Sequence, residues 1–487
     1  MSRHQGLLAV VVAAVLVVAV GFASAEPPST APGSPLTADG AVRGIDGHTI
    51  RVALYQPPED DPVSRIVADF VAPDDDNAEV LATVQGFVDM FEAQGTTGDW
   101  HVELVPFTGS GNLLDTVAAR ADAVTIAEEV QPFMVWGGPL LGTAFAEELA
   151  ARGVMCLMCV VSGTNAFYEA NAPYVWSLQT SPEQVGAHTA EYVAKRLAGR
   201  PAAFAGDPAI QASERRFGVL YMDGPFGGAG LGAALTDQLR AVGVEPAATV
   251  AYTEPFAIKQ IQTTLIAKLR HEGVTTIVYG GEPLSLRSLM AEASAQGWYP
   301  EWLMTGAFSS ERNSWGRNYD PDQMAHAFGI TPLPLPSAPE DSFVHQLYRS
   351  RHGVDPPAQG STLQHFAAPA LFYAALRIVG DDLTPQRMEQ ALFEAPPIGG
   401  SGESNPLVPT ISFGERGLWP TPDYAGIDDF AEIWWDADAV GPDETGAVGT
   451  GMWSFTDGAA RYLPGAWPTG PPHAFDRDDS WTTFHAP

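Results

Sequence analysis

An α/β protein of two lobes, each a parallel sheet flanked by helices, is the fold class this sequence predicts. Three observations point there. From residue 50 onward, short apolar runs alternate with longer amphipathic ones, the pattern of parallel strands joined by helices. The alternation restarts after a polar stretch at 179–183, giving two series and therefore two sheets. The 487 residues also exceed the roughly 250–300 that one core usually holds.

In the first series, residues 50–55 (IRVALY) read as a strand. Residues 78–93 place Val80, Leu81, Val84, Phe87, Val88 and Phe91 on one helical face. A strand at 101–107 (HVELVPF), a helix at 113–130, a strand at 133–136, a helix at 141–152 and a strand at 154–161 follow. The second series runs helix 184–197, strand 217–222, helix 230–242, strand 247–252, helix 258–271, strand 276–279, helix 284–296 and strand 302–305. A Pro-rich loop at 331–339 leads to helices at 342–351, 363–379 and 385–393. From 396 the chain is rich in Gly, Pro, Trp and Asp, with short strands at 410–413, 431–435 and 451–455. The expected lobes are 49–178 with 309–395, and 179–308 with about 396–460, leaving 461–487 as a C-terminal extension.

The N-terminus reads as an address. Arg3 and His4 precede an apolar run at 6–22, and Ala23-Ser24-Ala25 supplies a small-x-small cleavage pattern, so 1–25 is expected to be a secretory signal peptide. The alternative is an uncleaved anchor, since the run approaches the roughly 20 residues that span a bilayer. Residues 26–48, rich in Pro, Ser, Thr and Gly, read as a flexible linker. The chain is then expected outside the cytoplasm, in the periplasm or cell envelope.

Charge excludes whole classes. There are 58 Asp+Glu against 25 Lys+Arg, a formal net of −33, and such a surface repels nucleic acid and anionic lipid. The three lysines, Lys195, Lys259 and Lys268, do not follow a Gly, so no phosphate-binding P-loop exists. No G-x-S-x-G elbow or H-E-x-x-H helix occurs, and the 11 histidines lack zinc-ligand spacing. A secreted hydrolase, whose catalytic groups can lie far apart in sequence, is the rival class. No cofactor or metal is expected. Asp436-x-Asp438 with Gly441 looks like the start of a calcium loop, but Ala447 stands where the closing Glu belongs.

Cys156 and Cys159 are the two cysteines. An exported context suits a disulfide, buried free thiols suit the apolar VMCLMCVV stretch, and C-x-x-C also occurs in redox proteins. On a straight strand, side chains three apart point to opposite faces, so a bridge requires the strand to break near Leu157 or Met158.

The order of elements, with residues 133–143 (FMVWGGPLLGT), 153–165 (GVMCLMCVVSGTN), 172–181 (APYVWSLQTS), 217–227 (FGVLYMDGPFG), 276–281 (TIVYGG) and 411–417 (ISFGERG), resembles the type I periplasmic binding proteins. The likeness is to the leucine/isoleucine/valine-binding-like receptors of ABC transporters and spreads over about 50–455. It implies two Rossmann-like lobes joined by three crossover strands, a hinge that closes on a small organic ligand, and delivery to an ABC importer. The implied partners are that ligand and a transporter permease, with the chain itself a monomer and not an enzyme. A membrane-anchored sensor of the same fold is the alternative.

The resemblance also nominates ligand-binding residues. Tyr55 and Gln56 end the first strand, and Gly138 and Pro139 open a turn whose N–H groups can hold an oxygen, with Thr143 nearby. Ser162, Gly163 and Thr164 follow the fourth strand, where they either face the ligand or cap the next helix. From the second lobe come Phe226, Glu282 (ligand contact or helix-start carboxylate) and Phe308, while Phe366 is a further aromatic wall or a core residue. The family's amino-acid binders place an acid near 307 to neutralise the ligand's ammonium. Ala307 stands here, so a free amino acid is not the expected ligand unless Glu282 or Glu311 supplies the charge. Asp74, Asp75 and Asp76 read as a solvated loop, and the late tryptophans as packing for an extended tail.

Overall fold

Two sheets wound in the same order organise the chain. The computed structural model describes residues 32–37, 40–60, 75–112, 114–139, 142–224, 228–337, 342–399, 409–444 and 446–483. The expected signal peptide lies outside the described residues, as does Phe226. The first sheet contains β1 (Ile45–Asp46), β2 (Thr49–Gln56), β3 (His101–Thr108), β4 (Met134–Trp136), β5 (Met155–Leu157) and β6 (Val175–Trp176). Apart from the antiparallel β1 beside β2, its strands are parallel in the order β3-β2-β4-β5-β6. The second contains β7 (Phe217–Met222), β8 (Ala248–Tyr252), β9 (Thr276–Gly280), β10 (Glu301–Met304) and β11 (Ala327–Thr331), all parallel. Antiparallel β12 (Phe430–Pro442), β13 (Val448–Phe455) and β14 (Arg461–Tyr462) extend it, in the order β8-β7-β9-β10-β11-β12-β13 with β14 beside β12. Each sheet therefore reverses its winding once, between β2 and β4 and between β7 and β9. A crevice opens at such a reversal, outside the carboxyl ends of the strands.

The α-helices of six residues or more are α1 (Asn77–Glu92), α2 (Thr116–Thr125), α3 (Ala144–Ala151), α4 (Asn165–Ala170), α5 (Pro182–Tyr192), α6 (Leu231–Ala241), α7 (Ile258–His271), α8 (Pro283–Ala295), α9 (Phe343–His352), α10 (Thr362–Val379) and α11 (Pro385–Glu394). Helices cover both faces of the second sheet, so its central strands are apolar throughout. On β9, Ile277 and Tyr279 face one core while Val278 faces the other, and on β10 Trp302 and Met304 oppose Leu303. Each buried side chain of this size contributes about 1.5–3 kcal/mol by leaving water. The first core joins Val52, Leu54, Val135, Trp136 and Trp176 to Phe372 and Leu376 of α10.

The chain passes between the sheets at three places: after β6, after β11 and after α11. Two of these passages lie side by side. Ser177 N–H donates to the Tyr424 carbonyl (3.0 Å) and Gly426 N–H to the Ser177 carbonyl (2.9 Å), a parallel bridge centred on Ser177 and Ala425. Ser181 starts α5 with a reciprocal capping box to Gln184.

Several elements differ from the sequence reading, each for a local reason. Ala327–Thr331 belongs to the second sheet, inside the stretch 309–395 expected in the first lobe. Its Gly329 (φ +153°) hides the strand pattern. It is needed because a Cβ there would lie 2.1 Å from the Met304 carbonyl oxygen. The strand expected at 154–161 stops at Leu157, because Met158 turns left-handed (φ 63°). Cys156 and Cys159 are joined as a disulfide across that break. Residues 410–413 form isolated bridges at Ile411 instead of a strand.

Residues expected in the flexible linker are tied to the first lobe from 33 onward. Gly33 N–H donates to the Ala150 carbonyl, Tyr174 Oη to the Gly33 carbonyl (2.8 Å) and Arg43 Nη1 to the Ala127 carbonyl (2.7 Å). The Asp cluster is likewise occupied where described. Asp76 caps α1, and Asp75 accepts from the Ser361 N–H and hydroxyl. Trp467 of the tail is buried against His188 and Tyr192, so the extension packs onto the second lobe.

Candidate functional site

The carboxyl ends of both sheets hold most of the nominated residues. At the first reversal, Tyr55 and Gln56 finish β2 but turn into their own lobe. The Tyr55 hydroxyl donates to Asp122 Oδ2 (3.2 Å), which also accepts from the Ser110 N–H (3.0 Å). Burial, with the Asp122 carboxylate second, pushes the Tyr55 phenol well above its usual range, so it stays a neutral donor. Gln56 Nε2 donates to the Asn77 carbonyl. Gly138 is half-buried, and a Cβ there would come within 3.1 Å of Cys159 Cβ and Phe145 Cδ1, so no larger residue fits without a shift. Pro139 is buried. Thr143 spends its hydroxyl on Glu147 Oε1 (2.7 Å).

The disulfide turn delivers Ser162, Gly163 and Thr164 to the edge facing the second lobe. Gly163 is required by the rings of Phe167 and Tyr168, which a Cβ would meet at 2.6 and 2.9 Å. Thr164 is the N-cap of α4, its Oγ1 accepting from the Phe167 N–H (3.1 Å). The capping reading therefore holds for its hydroxyl, while its methyl faces the other lobe. A Cβ on Gly230, at the start of α6, would lie 2.8 Å from Thr164 Cγ2. Glu183 Oε2 accepts from the Asn165 N–H (3.1 Å), linking α4 to α5.

In the second lobe, Glu282 is the N-cap of α8. Its carboxylate accepts from the N–H groups of Leu284 (2.6 Å) and Ser285 (3.0 Å) and from the Tyr252 hydroxyl (3.3 Å). It is a helix-start carboxylate, half-buried instead of solvated, and burial raises its pKa. Phe308 follows β10 in a short turn begun by Gly306 (φ 78°), with Phe308 (φ 56°) and Ser309 (φ 52°) both left-handed. Two consecutive left-handed non-Gly residues cost of order 1–3 kcal/mol each and persist where surrounding packing over-determines them.

Ser162 and Phe308 meet at one void between the lobes. Val161, Thr180, Val185, Leu231 and Ala307 are also around it. Its volume is about 20 Å³, room for about one water, so a larger molecule enters only when the lobes part. Sequence reasoning missed Thr180, Val185 and Leu231. The polar stretch at 179–183 marked the passage between lobes, but which of its residues meets the void depends on the fold. Phe366 is placed elsewhere, ringed by Phe87 (5.2 Å), Phe91 (5.9 Å) and Phe343 (5.8 Å) where α1, α9 and α10 pack together. A larger hollow of about 490 Å³ lies at the opposite ends of the first lobe's strands, near Ser34, Arg43 and Gln131. Its charged groups Arg152 and Glu128 pair with each other (3.0 Å), and no nominated residue lines it. Among the described residues no cluster of His, Cys, Asp or Glu can hold a metal ion, and no helix is long and apolar enough to cross a membrane.

Glu311 lies two residues beyond the void's wall, with its Oε2 buried and without a hydrogen-bond partner. Its Oε1 accepts from the Thr331 hydroxyl (2.7 Å) at the end of β11, and it is 4% exposed. Burial pushes its carboxyl up to about 7.

A family model described as periplasmic binding protein matches residues 72–417. No curated protein matches the sequence. Among solved structures, a type 1 periplasmic binding protein from Bordetella pertussis Tohama I is similar at 13% identity and TM-score 0.54, over 80% of this chain and 96% of that one. A fatty acid ABC transporter substrate-binding protein from Thermomonospora curvata is similar at 14% identity and TM-score 0.52, over 85% and 94%. An ABC transporter solute-binding protein from Rhodopseudomonas palustris BisB5, in complex with 3,4-dihydroxybenzoic acid, is similar at 12% identity and TM-score 0.52, over 86% and 98%. At these identities the likeness is one of fold.

Proposed function

Because the chain belongs to the periplasmic binding protein family, a family of solute-binding proteins and not of enzymes, we propose that it closes on a small organic ligand outside the cytoplasm and hands it to the permease of an ABC importer. One observation carries this reading: the carboxyl ends of two like-wound sheets confront each other, and residues of both, Ser162 and Phe308, meet at a single interlobe void. In this reading the described conformation is the closed one, in which a Cβ added to Gly230 would lie 2.8 Å from Thr164 Cγ2. An open form admits the ligand, and the ligand then stabilises the closed form by its higher affinity for it. Ser162, Gly163, Thr164, Gly138, Pro139 and Phe308, with Phe226, are the proposed contacts.

Small-angle scattering tests the motion. The free chain, as a monomer, should have a larger radius of gyration than the closed conformation gives, and saturating ligand should shrink it and raise Tm. A profile already closed and indifferent to every compound would overturn the proposal. The apolar run at 6–22 favours a second reading, an anchored sensor of the same fold, and N-terminal sequencing of the exported protein separates the two.

A further inference from the structure

We infer that the ligand carries no formal charge where it meets the protein, and that it is a small, largely apolar neutral molecule with one or two hydroxyl or carbonyl groups. This rests on the receptor reading above and deepens it.

The composition of the interlobe void supports the inference. Val185, Leu231 and Phe308 give it apolar walls, and Ser162, Gln179 and Thr180 give it hydroxyl and amide groups. None of the 10 described residues around it is ionisable, although 17% of the whole chain is charged. Four carboxylates near the facing ends of the sheets are engaged by the protein itself. Glu282 caps α8 and accepts from Tyr252, and Asp122 serves Tyr55 and Ser110. Glu183 accepts from the Asn165 N–H and Glu311 Oε1 from Thr331, while Glu311 Oε2 is buried without a hydrogen-bond partner, where burial favours the neutral acid. The lysines are no better placed. Lys195 pairs with Glu191 (2.6 Å) and donates to the Gly465 carbonyl of the tail, Lys268 reaches the Thr249 carbonyl in the last turn of α7, and Lys259 is exposed in the first turn of α7.

A ligand charge held between these walls after closure would keep little water and find no counter-ion among the residues that line them. Enclosing an ammonium or carboxylate without a partner costs several kcal/mol, which is on the order of a thousandfold in Kd. A neutral hydroxyl or amide loses far less, because the Ser162 and Thr180 hydroxyls and the Gln179 amide can each donate or accept.

The experiment uses the full chain, purified without refolding, in calorimetry and thermal-shift titrations. Probes come in shape-matched sets: 4-methylpentanamide, 4-methylpentanoate, isoamylamine and leucine, then 4-hydroxybenzamide, 4-hydroxybenzoate, tyramine and tyrosine. A broad library of metabolites and native mass spectrometry for a co-purified molecule accompany them. The expected result is that the amide of at least one set binds ten-fold or more tighter than its charged counterparts, with Kd unchanged between 50 and 500 mM salt (roughly a three-fold change in Debye length). Tighter binding of a carboxylate, an amine or an amino acid, with closure seen by scattering, overturns the neutral-ligand inference and leaves the receptor reading standing. If no probe, library compound or co-purified molecule binds, the receptor reading falls and the inference falls with it.

Discussion

Thr164 and Gly230 face each other across the interlobe cleft with no space for one more methyl: a Cβ on Gly230 would lie 2.8 Å from Thr164 Cγ2. Gly230 also has φ 80°, so Gly230→Ala carries a backbone cost of about 1–2 kcal/mol. We expect the variant to lose that stability and, separately, to show a larger radius of gyration and weaker ligand binding. Adding Thr164→Ser removes the methyl and keeps the Oγ1 cap of α4. It should restore compactness and binding but not Tm. If the double variant stays expanded, this contact does not set the closed form.

The third passage between the lobes contains three buried acids. Asp423 accepts from Gln184 Nε2 (3.2 and 3.1 Å to its two oxygens), which also donates to the Ala425 carbonyl (2.8 Å), and from the Ala425 N–H (2.9 Å). Asp428 accepts from Ser412 and from Trp419 Nε1 (2.8 Å), while its neighbour Asp429 is paired with Arg461 (2.7 Å). Burial, then the nearby Asp428, pushes Asp423 up to about 8, and burial pushes Asp428 up to about 6. An unfolded Asp titrates near 3.9, so the folded chain holds more protons between those values. The stability this gives is full below about pH 4 and is lost as pH rises to about 8. Thermal unfolding from pH 5 to 9 should show Tm falling with pH, and Asp423→Asn should flatten the fall. An unchanged slope in the variant refutes the assignment.

Arg215 and Glu301 form a bidentate pair (2.8 Å twice), 2% and 0% exposed, at the start of β10. Glu301 also accepts from Thr276 Oγ1 (2.6 Å) and the Phe204 N–H (3.0 Å). Arg215→Ala leaves a buried carboxylate without its cation and should cost about 3–5 kcal/mol. The pair sits at the end of the strand away from Gly306, so Kd for the ligand should be unchanged in the folded fraction. Urea unfolding together with a binding titration checks both.

The Cys156–Cys159 bridge closes a loop of four residues. Its loss should cost about 2 kcal/mol in the chain-entropy account. Thiol titration of denatured, unreduced protein should find no free thiol. Reduction should lower Tm and weaken ligand binding, because Ser162 follows the bridged turn.

The sequence was most readable where a segment satisfies its own pattern. Phe217–Met222 and Ile258–His271 were read to the residue, since each is an uninterrupted apolar run or a periodic face. Ala327–Thr331 was missed because Gly329 answers to the neighbouring Met304 backbone and not to strand propensity. At the cleft, the loops that meet there follow from strand order. Which atom of Thr164 faces across does not, because its hydroxyl has a competing bond to the Phe167 N–H that only the folded backbone offers. Phe366 shows the limit of reading an aromatic as a ligand wall: three rings from α1 and α9 were its nearer partners.

The bridge between Ser177 and Ala425 ties two of the three interlobe connections into one narrow ribbon. Connections spread along an edge would let the halves wobble on many axes. A ribbon confines their relative rotation to nearly one line, as a door is confined by its frame. If the lobes part as proposed, opening should be a swing of defined direction, and a wedge anywhere along the facing rims should act on the same angle.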